Sequence, residues 1–313
     1  MIEDATLYNP STGDKPRILV LANRIKPQVV EAMHAFRPWL EDRAEIVAEP
    51  DTKSLFREAA NDLPKADFAI VLGGDGTLLS QARTLVDLEI PMIGVNFGKV
   101  GFLAEFSIAD LKSHWDKILC GTCRMSRRMM LDVTVYPAGA AEWGDGDDAI
   151  MPEPIFRAVS LNDAAVVAGP PFRMIEIELA IEPKRTHSSA TTINGDGLIV
   201  ATPSGSTAYN LAAGGPIVSP GIDGICISAI APQSIAFRPI VFNASCEVWL
   251  KLNNANDGTE LVLDGQESCK LKADQQILVK RHPNVLKLVH NPDMNYWRLL
   301  AKKMHWAARP TRD

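Results

Sequence analysis

The sequence has few of the features that mark secreted, membrane-spanning or nucleic-acid-binding proteins. Its 313 residues contain only five cysteines, an odd number that argues against a secreted disulfide framework. Lysine and arginine total 32 against 38 aspartates and glutamates, so the net charge of −6 does not favour binding to nucleic acid. The longest apolar stretches, such as residues 225–231, are far shorter than the roughly 20 residues that cross a bilayer.

The amino terminus also lacks the basic and apolar regions of a signal peptide. We therefore expect a cytoplasmic protein with neither a nucleic-acid nor a membrane partner. Metal sites are disfavoured by spacing: Cys120 and Cys123 form a CxxC without the second ligand pair that zinc needs. The six histidines show neither HxxxH nor HExxH spacing, so we expect no metal held by protein ligands alone.

The pattern along the chain predicts two domains. Residues 1–16 are polar and predict a flexible tail. Residues 17–129 alternate strand and helix patterns, which indicates an α/β domain with a Rossmann-like parallel sheet. In residues 130–291 most strand patterns, such as that of residues 156–167, are joined by turns, which indicates an all-β domain. Asp264-Gly265 in this region predicts a hairpin turn. Residues 292–313 carry a helical pattern.

One segment of the second domain has no periodicity. Residues 137–154 are acidic and rich in glycine and proline, and they lie between two strand patterns. Carboxylates in such a segment would not bury without partners. We therefore expect a mobile surface loop that the protein can lose without harm.

A glycine cluster follows the third strand pattern. Residues 67–72 predict a buried strand that continues into GGDGT (73–77) and then a helix. Ligands of open α/β sheets bind at the carboxyl ends of strands, where glycines let a phosphate approach and a helix start offers N–H groups. Asp75 could orient a hydroxyl, accept its proton or face a phosphate-bound magnesium. The alternative is a tight strand–helix turn with Asp75 as a capping residue.

A second segment combines hydroxyl groups with a helix start. Residues 194–197 (NGDG) precede a strand, and residues 203–209 (PSGSTAY) follow it. Hydroxyls at Ser204, Ser206 and Thr207 could bind sugar or phosphate oxygens beside backbone N–H groups. Tyr209 adds an aromatic face with a polar tip. A capped helix between β elements is the alternative.

Six segments, taken in order, resemble the signatures of the NAD kinase family. They are GGDGT (73–77), NFGKVGFLAEF (96–106), LND (161–163), GDGLIVATPSGSTAYNLAAGGPIVSP (195–220), RPIV (238–241) and DGQ (264–266). GGDGT alone is shared with lipid kinases, whereas the GDG–TPSGSTAY–GGP stretch is close to diagnostic. The resemblance covers residues 17–306 and implies that a helix in 292–313 packs on the first domain.

The resemblance implies an activity, a cofactor and an assembly. Members of this family transfer the γ-phosphoryl of ATP to the 2′-hydroxyl of the adenosine ribose of NAD, with Mg²⁺ bound to ATP, and are typically dimers or tetramers. Two alternatives are a diacylglycerol- or sphingosine-type lipid kinase and a nucleotide-binding sensor that has lost activity. Residues 91–106 lack the GTxND-like element expected of a lipid kinase, and Asp75 argues against an inactive protein.

Matching the motifs residue by residue implies a set of site residues. Asp75 corresponds to the catalytic base, Phe102 to a residue near the adenine, and Asp196 to a residue that engages the nicotinamide half. Gly73, Gly74, Gly76 and Thr77 are expected to bind the phosphates of ATP. The expected NAD-binding residues are Asp75, Gly76, Phe102, Asn162, Asp163, Arg173, Asn194, Asp196, Thr207, Ala208, Tyr209, Asn210, Leu211, Ala212 and Gln266.

The sequence departs from the family pattern at three positions. Val100 replaces the usual leucine, and Gln233 stands where histidine is common. Asn194 stands where many bacterial members carry arginine or lysine, and Lys184 or Arg185 could take over the neutralisation of a phosphate on the product ribose.

Overall fold

A computed structural model describes residues 2–4, 15–53, 55–98, 101–140, 151–183 and 191–304. The chain divides into two compact units, Met1–Arg127 with Leu286–Asp313, and Arg128–Val285. The first unit therefore contains both ends of the chain, and the second is a continuous insertion between them.

The strands in the described part of the chain are β1 (Ile2–Asp4), β2 (Arg17–Ala22), β3 (Glu45–Ala48), β4 (Phe68–Leu72), β5 (Met92–Val95), β6 (Arg124–Arg128), β7 (Leu131–Tyr136), β8 (Phe156–Ser160), β9 (Asp163–Val167), β10 (Ile175–Ile181), β11 (Thr191–Gly195), β12 (Gly197–Ala201), β13 (Gly224–Ile230), β14 (Ile240–Asn243), β15 (Val248–Asn254), β16 (Glu260–Leu263), β17 (Glu267–Lys270), β18 (Gln276–Arg281) and β19 (Leu286–Val289). The α-helices are α1 (Pro27–Arg43), α2 (Arg57–Ala60), α3 (Asp75–Leu85), α4 (Ile108–Ser113), α5 (Trp115–Leu119), α6 (Tyr209–Ala212) and α7 (Tyr296–Met304). Short 3-10 helices cover Val86–Leu88 and Gly205–Thr207.

The first unit is built on a seven-stranded sheet in the order β1-β6-β19-β5-β4-β2-β3. Its centre is parallel, and every residue of β4 is buried. Parallel strands are covered on both faces, which explains the uninterrupted apolar sequence FAIVL. Helix α1 adds Val29, Met33, Phe36 and Leu40 to the same core, at spacings of three and four residues that share one helix face.

The second unit contains two six-stranded antiparallel sheets. Their orders are β11-β10-β15-β18-β7-β8 and β14-β13-β12-β9-β16-β17. Apolar residues of both sheets, including Val133 and Leu250 from the first and Val166 and Leu198 from the second, meet in one buried cluster. The predicted fold class, an α/β domain with a β-rich domain and a carboxyl-terminal helix, is confirmed.

Three details of the sequence prediction are wrong. Residues 285–289 were expected in the all-β domain, but β19 lies in the first sheet, where Leu288 pairs in parallel with Met92. The chain thus returns to the first unit at residue 286 rather than 292, and it leaves that unit after residue 127 rather than 129. A strand pattern does not reveal the partner strand, so the sequence did not distinguish the two sheets.

The expected flexible tail is also wrong in part, because Ile2–Asp4 form a strand antiparallel to β6. Residues 5–14 of that tail lie outside the described residues, as do 305–313 of the terminal helical segment. The strand predicted over residues 156–167 is broken into β8 and β9 by Leu161 and Asn162. None of the helices in the described ranges is both long and apolar enough to cross a membrane.

The segment expected to be a mobile loop has packed ends. Residues 141–150 lie outside the described residues. On one side of them, Ala140 is buried, and its carbonyl accepts a hydrogen bond from Gln276 Nε2 at 3.1 Å. On the other side, Met151 packs against a cluster that contains Tyr136 and Trp249. The dispensable part is therefore shorter than residues 137–154.

Replacing residues 141–150 with a short Gly/Ser linker should leave the Tm within a few degrees of the wild type. Replacing all of 137–154 should lower the Tm clearly, because it removes Ala140 and Met151 from their cluster. Differential scanning calorimetry of both variants makes the comparison. Equal Tm values for the two replacements would contradict this account.

Candidate functional site

The GGDGT segment lies at the carboxyl end of β4. The backbone N–H of Gly73 donates to the carbonyl of Val95 at 2.9 Å, and Gly74 is the N-cap of α3. The sequence pattern predicts a helix that begins at Thr77, but helix α3 begins two residues earlier, at Asp75. Asp75, Gly76 and Thr77 therefore form the first turn of an eleven-residue helix at the ligand-binding edge of a parallel sheet.

Three backbone N–H groups hold the carboxylate of Asp75. Phe102 N donates to Oδ2 at 2.8 Å, while Leu103 N and Ala104 N donate to Oδ1 at 3.2 and 2.9 Å. The donors come from the loop of residues 101–104, which is 26 or more residues away in sequence. The structure thus brings two of the expected site residues, Asp75 and Phe102, into direct contact.

A close approach at Gly101 makes this contact possible. A Cβ at this position would lie 1.7 Å from Asp75 Oδ1. Any other residue would push the carboxylate or the loop aside. Glycine is needed here for space, because the carboxylate occupies the volume of a side chain.

Thr77 is held by a residue that the sequence analysis missed. Asn23 follows β2, its backbone N–H donates to the carbonyl of Leu72, and its Nδ2 lies 3.5 Å from Thr77 Oγ1. The Thr77 side chain lies over Gly73, where a Cβ would be 2.4 Å from Oγ1. A polar residue directly after a buried strand that pairs with β4 was the available signal.

The ring of Phe102 is flanked by the carboxyl-terminal helix. The ring of Tyr296 lies 6.5 Å from it between centroids, and Lys303 Nζ lies 5.1 Å from the Phe102 ring centroid. These contacts place helix α7 beside the loop that holds Asp75, within the first unit.

In the second unit, Asp264 organises the LND turn. Its Oδ1 accepts hydrogen bonds from Ser160 Oγ at 2.6 Å and from the N–H groups of Asn162 and Asp163 at 2.7 and 3.2 Å. Its Oδ2 accepts a bond from Leu161 N at 3.0 Å. Of this DGQ segment, only Gln266 was predicted from the sequence to be a site residue. The carboxylate two residues earlier fixes the expected site residues Asn162 and Asp163.

The same Asp264 forms a tight hairpin turn. Asp264 and Gly265 have φ of 52° and 65°, and Gln266 N–H donates to the Leu263 carbonyl at 2.9 Å. Positive φ at both central residues is typical of the turn that Asp-Gly forms between strands. The hairpin predicted from Asp264-Gly265 is confirmed as β16–β17.

The PSGST segment is joined to the LND turn. Thr202 N–H donates to the Asn162 carbonyl at 2.8 Å, and Thr202 Oγ1 donates to the Leu161 carbonyl at 2.6 Å. A Cβ at Gly205 would lie 2.0 Å from the Asn162 carbonyl oxygen. The two motifs of the second unit therefore touch, and glycine is required where they do.

Residues 207–212, which are expected to bind NAD, differ in solvent exposure. Tyr209 is 42% exposed and Ala212 is exposed, whereas Thr207, Ala208 and Leu211 are half-buried. Asn210 is fully buried: its Nδ2 donates to the carbonyls of Ser206 and Pro216 at 3.2 and 3.1 Å, and its Oδ1 accepts from Ser228 Oγ at 2.8 Å. The Asn210 side chain thus holds the segment together.

Asp163 is buried, and its surroundings change its acidity. Burial, followed by the charge of Asp264, raises the pKa of Asp163 from 3.8 to about 7, while a hydrogen bond from the Tyr209 N–H lowers it. Both protonation states are therefore accessible near neutral pH. The carboxyl of Asp163 can accept or donate a hydrogen bond there.

Arg173, Asn194 and Asp196 lie away from the LND turn. Gly197 pairs with Val167 and Ala201 with Asp163, so Asp196, which precedes β12, lies about 17 Å along the strand from the position that pairs with Asp163. Ile175 pairs with Gly195, which puts Arg173 near the Asp196 end. Asn194 borders a cavity of about 400 Å³ that Gln233 and Phe237 also line.

The structure also describes the candidate metal ligands. Within the described ranges, no three His, Cys, Asp or Glu side chains lie close enough to hold a metal ion. Cys120 is exposed and Cys123 is buried, and burial raises the pKa of the Cys123 thiol.

The acidity of Asp163 predicts a pH dependence of stability. An acid whose pKa is higher in the folded state stabilises the fold at low pH, and this contribution is lost as pH rises from about 4 to about 7. A pKa change of this size corresponds to on the order of 4 kcal/mol. Asp163→Asn should therefore flatten the fall in Tm between pH 5 and pH 8.

The control for this measurement is Asp257→Asn, which changes an exposed carboxylate of the same unit. It should keep the wild-type dependence of Tm on pH. If the Tm of the wild type and that of Asp163→Asn fall equally steeply with pH, Asp163 does not titrate between pH 5 and pH 8.

Known proteins match the chain along nearly its whole length. The family models for the ATP-NAD kinase N-terminal and C-terminal domains match residues 18–123 and 161–291. An NAD kinase of Rhodopirellula baltica is 35% identical over 297 residues, which is 95% of this chain and 89% of the relative. One of Geobacter metallireducens is 38% identical over 276 residues, or 87% of this chain and 92% of the relative.

Two solved structures share the fold. A yeast NADH kinase complexed with NADH matches with a TM-score of 0.75 at 18% identity, covering 95% of this chain and 89% of that one. An NAD kinase from Archaeoglobus fulgidus in complex with ATP matches with a TM-score of 0.67 at 24% identity, covering 92% of this chain and 98% of that one. The family models, the curated relatives and the shared fold agree: the chain belongs to the ATP-NAD kinase family.

Proposed function

We propose that this chain transfers the γ-phosphoryl group of ATP to the 2′-hydroxyl of the adenosine ribose of NAD, with Asp75 as the catalytic base. NAD kinase activity follows from the family, whose members are phosphotransferases that bind ATP. The comparisons give no support to a lipid kinase or to an inactive sensor. One observation supports the assignment of Asp75: its carboxylate, at the start of α3, accepts hydrogen bonds from three backbone N–H groups of the loop 101–104.

The hydrogen bonds of Asp75 leave room for a substrate hydroxyl. A carboxylate has about four acceptor positions, and three are used by the loop. Among the residues that the structure describes, Oδ2 accepts only from Phe102, so one of its positions can take a hydrogen bond from the ribose hydroxyl. Phosphoryl transfer has a loose transition state, so orienting the hydroxyl matters more than strong basicity, and its proton passes to Asp75 late.

We assign the phosphates of ATP to the start of α3. Gly73, Gly74 and Gly76 let phosphate oxygens approach the backbone, and the helix terminus offers N–H groups and a positive dipole end. Thr77 adds a hydroxyl that Asn23 Nδ2 contacts and for which Gly73, without a side chain, leaves space.

The donor set fits a magnesium ion that is carried by ATP. Asp75 supplies a negative charge beside the phosphates, and no three metal-ligating side chains meet in the described part of the chain. Mg²⁺ typically binds through phosphates, water and one or two carboxylates, and it would neutralise charge on the phosphates when bound. Asp75 would contribute only its negative charge, because its remaining acceptor position is assigned to the ribose hydroxyl.

Besides Asp75, Gly76 and Phe102, the residues that we assign to NAD lie in the second unit. The LND turn and the exposed surface of Tyr209 and Ala212 offer polar groups and an aromatic face for the adenosine half. Arg173, Asn194 and Asp196, at the other end of β12, are assigned to the nicotinamide half. Gln266 follows the turn that fixes Asn162 and Asp163, so we assign it to the adenosine half.

We also propose a homo-oligomer, either a dimer or a tetramer. Edge strand β14 leaves Ile240 and Val241 exposed at 42% and 45%, and an unpaired strand edge with apolar residues favours association. Light scattering coupled to size-exclusion chromatography measures the assembly.

The reaction itself is tested by formation of NADP in a coupled assay, with ATP as donor and NAD or NADH as acceptor. Asp75→Asn should lower kcat by about 10²–10⁴-fold, because a positioned general base is lost. The fold should persist, and the Kd for NAD from calorimetry should change little. A variant that keeps more than about a tenth of the wild-type kcat would refute the catalytic role of Asp75.

Gly101→Ala should also lower kcat, by about tenfold or more, because its Cβ would displace the Asp75 carboxylate. Gly221→Ala is the matched control, since a Cβ there has no neighbour within 4 Å. It should keep the wild-type kcat and Tm. If Gly101→Ala behaves like Gly221→Ala, the close approach of loop and carboxylate is absent in solution.

A further inference from the structure

A second carboxylate lies in the loop that holds Asp75. Glu105 follows directly after the three residues that donate to Asp75, and only 7% of it is exposed. Its Oε1 lies 2.9 Å from His290 Nδ1, and its Oε2 accepts a bond from Asn291 N–H at 3.1 Å. The amide Nδ2 of Asn291 donates to the backbone carbonyl of Glu105 at 3.3 Å.

The partners of Glu105 are themselves fixed to the sheet. His290 and Asn291 follow β19, and the His290 N–H donates to the Arg124 carbonyl at 2.9 Å. His290 Nε2 lies 2.7 Å from Ser126 Oγ. The loop is therefore held on one side by Asp75 and on the other by the end of a central strand, all within the first unit.

Stability alone does not account for this arrangement. A buried carboxylate is costly unless it is fully hydrogen-bonded, and apolar residues of similar volume stabilise a core as well or better. What the hydrogen bonds of Glu105 add is a fixed backbone position for residues 102–104. A misplacement of about 1 Å in such a donor set can cost on the order of a hundredfold in rate.

We infer that Glu105, His290 and Asn291 are positioning residues for phosphoryl transfer, which act by holding the N–H groups of residues 102–104 against the Asp75 carboxylate. They do not touch the substrates themselves. The inference rests on the proposed role of Asp75.

Glu105→Gln should lower kcat by tenfold or more and leave the KM values for ATP and NAD within about threefold. The glutamine amide has one acceptor oxygen, so it cannot serve both His290 Nδ1–H and Asn291 N–H. His290→Gln breaks the same contact from the other side and should reproduce the effect. It also serves as the test should Glu105→Gln fail to fold.

A double-mutant cycle separates positioning from a general loss of structure. If Glu105 acts through Asp75, Glu105→Gln should have little further effect on kcat in an Asp75→Asn background. A Glu105→Gln variant with wild-type kcat overturns the inference. The inference is also overturned if Glu105→Gln lowers kcat by the same factor in the Asp75→Asn background as in the wild type.

Asp293→Asn provides the matched control. Asp293 Oδ2 contacts the buried His114 of the first unit at 2.8 Å, and no hydrogen bond among the described residues joins its side chain to Glu105. This variant should keep the wild-type kcat, so an equal loss of kcat in Asp293→Asn and Glu105→Gln would contradict a specific role for Glu105.

If Asp75→Asn itself retains activity, the proposed function of Asp75 fails. If Asp75→Asn is inactive and Glu105→Gln is not, only the present inference fails.

Discussion

The backbone N–H groups of Phe102, Leu103 and Ala104 converge on the carboxylate of Asp75, and the rest of the first site depends on this contact. The sheet provides the position, because β4 ends where α3 begins. Gly101 provides the space, since a Cβ there would overlap the carboxylate. The carboxylate that we propose as the catalytic base is thereby fixed in direction by main-chain donors, which cannot rotate away as side chains can.

The second unit uses the same physical arrangement. Asp264 collects the N–H groups of residues 161–163, and Gly205 permits the next segment to touch the Asn162 carbonyl. In both units, one aspartate orders a distant turn and one glycine removes the side chain that would keep the backbones apart. Asn162, which we assign to NAD, is then placed by main-chain geometry rather than by its own packing.

The sequence predicted what is local and missed what is distant. The strand–GGDGT–helix pattern located Asp75, and Asp264-Gly265 located a hairpin, because both depend on neighbouring residues. The contact of Glu105 with His290 spans 185 residues, and that of Asp264 with Asn162 spans 102, so no periodicity reveals them. β19 was assigned to the wrong sheet for the same reason: its apolar pattern shows burial and not the partner strand.

The central claim is that the Asp75 carboxylate holds the loop of residues 101–104 in solution. Amide hydrogen exchange of the peptide that covers residues 101–105 measures this directly, in the wild type and in Asp75→Ala. The account predicts protected amides in the wild type and exchange at least about tenfold faster in Asp75→Ala, with the amides of β4 and β5 unchanged. Equal exchange of the 101–105 peptide in the two proteins would contradict it.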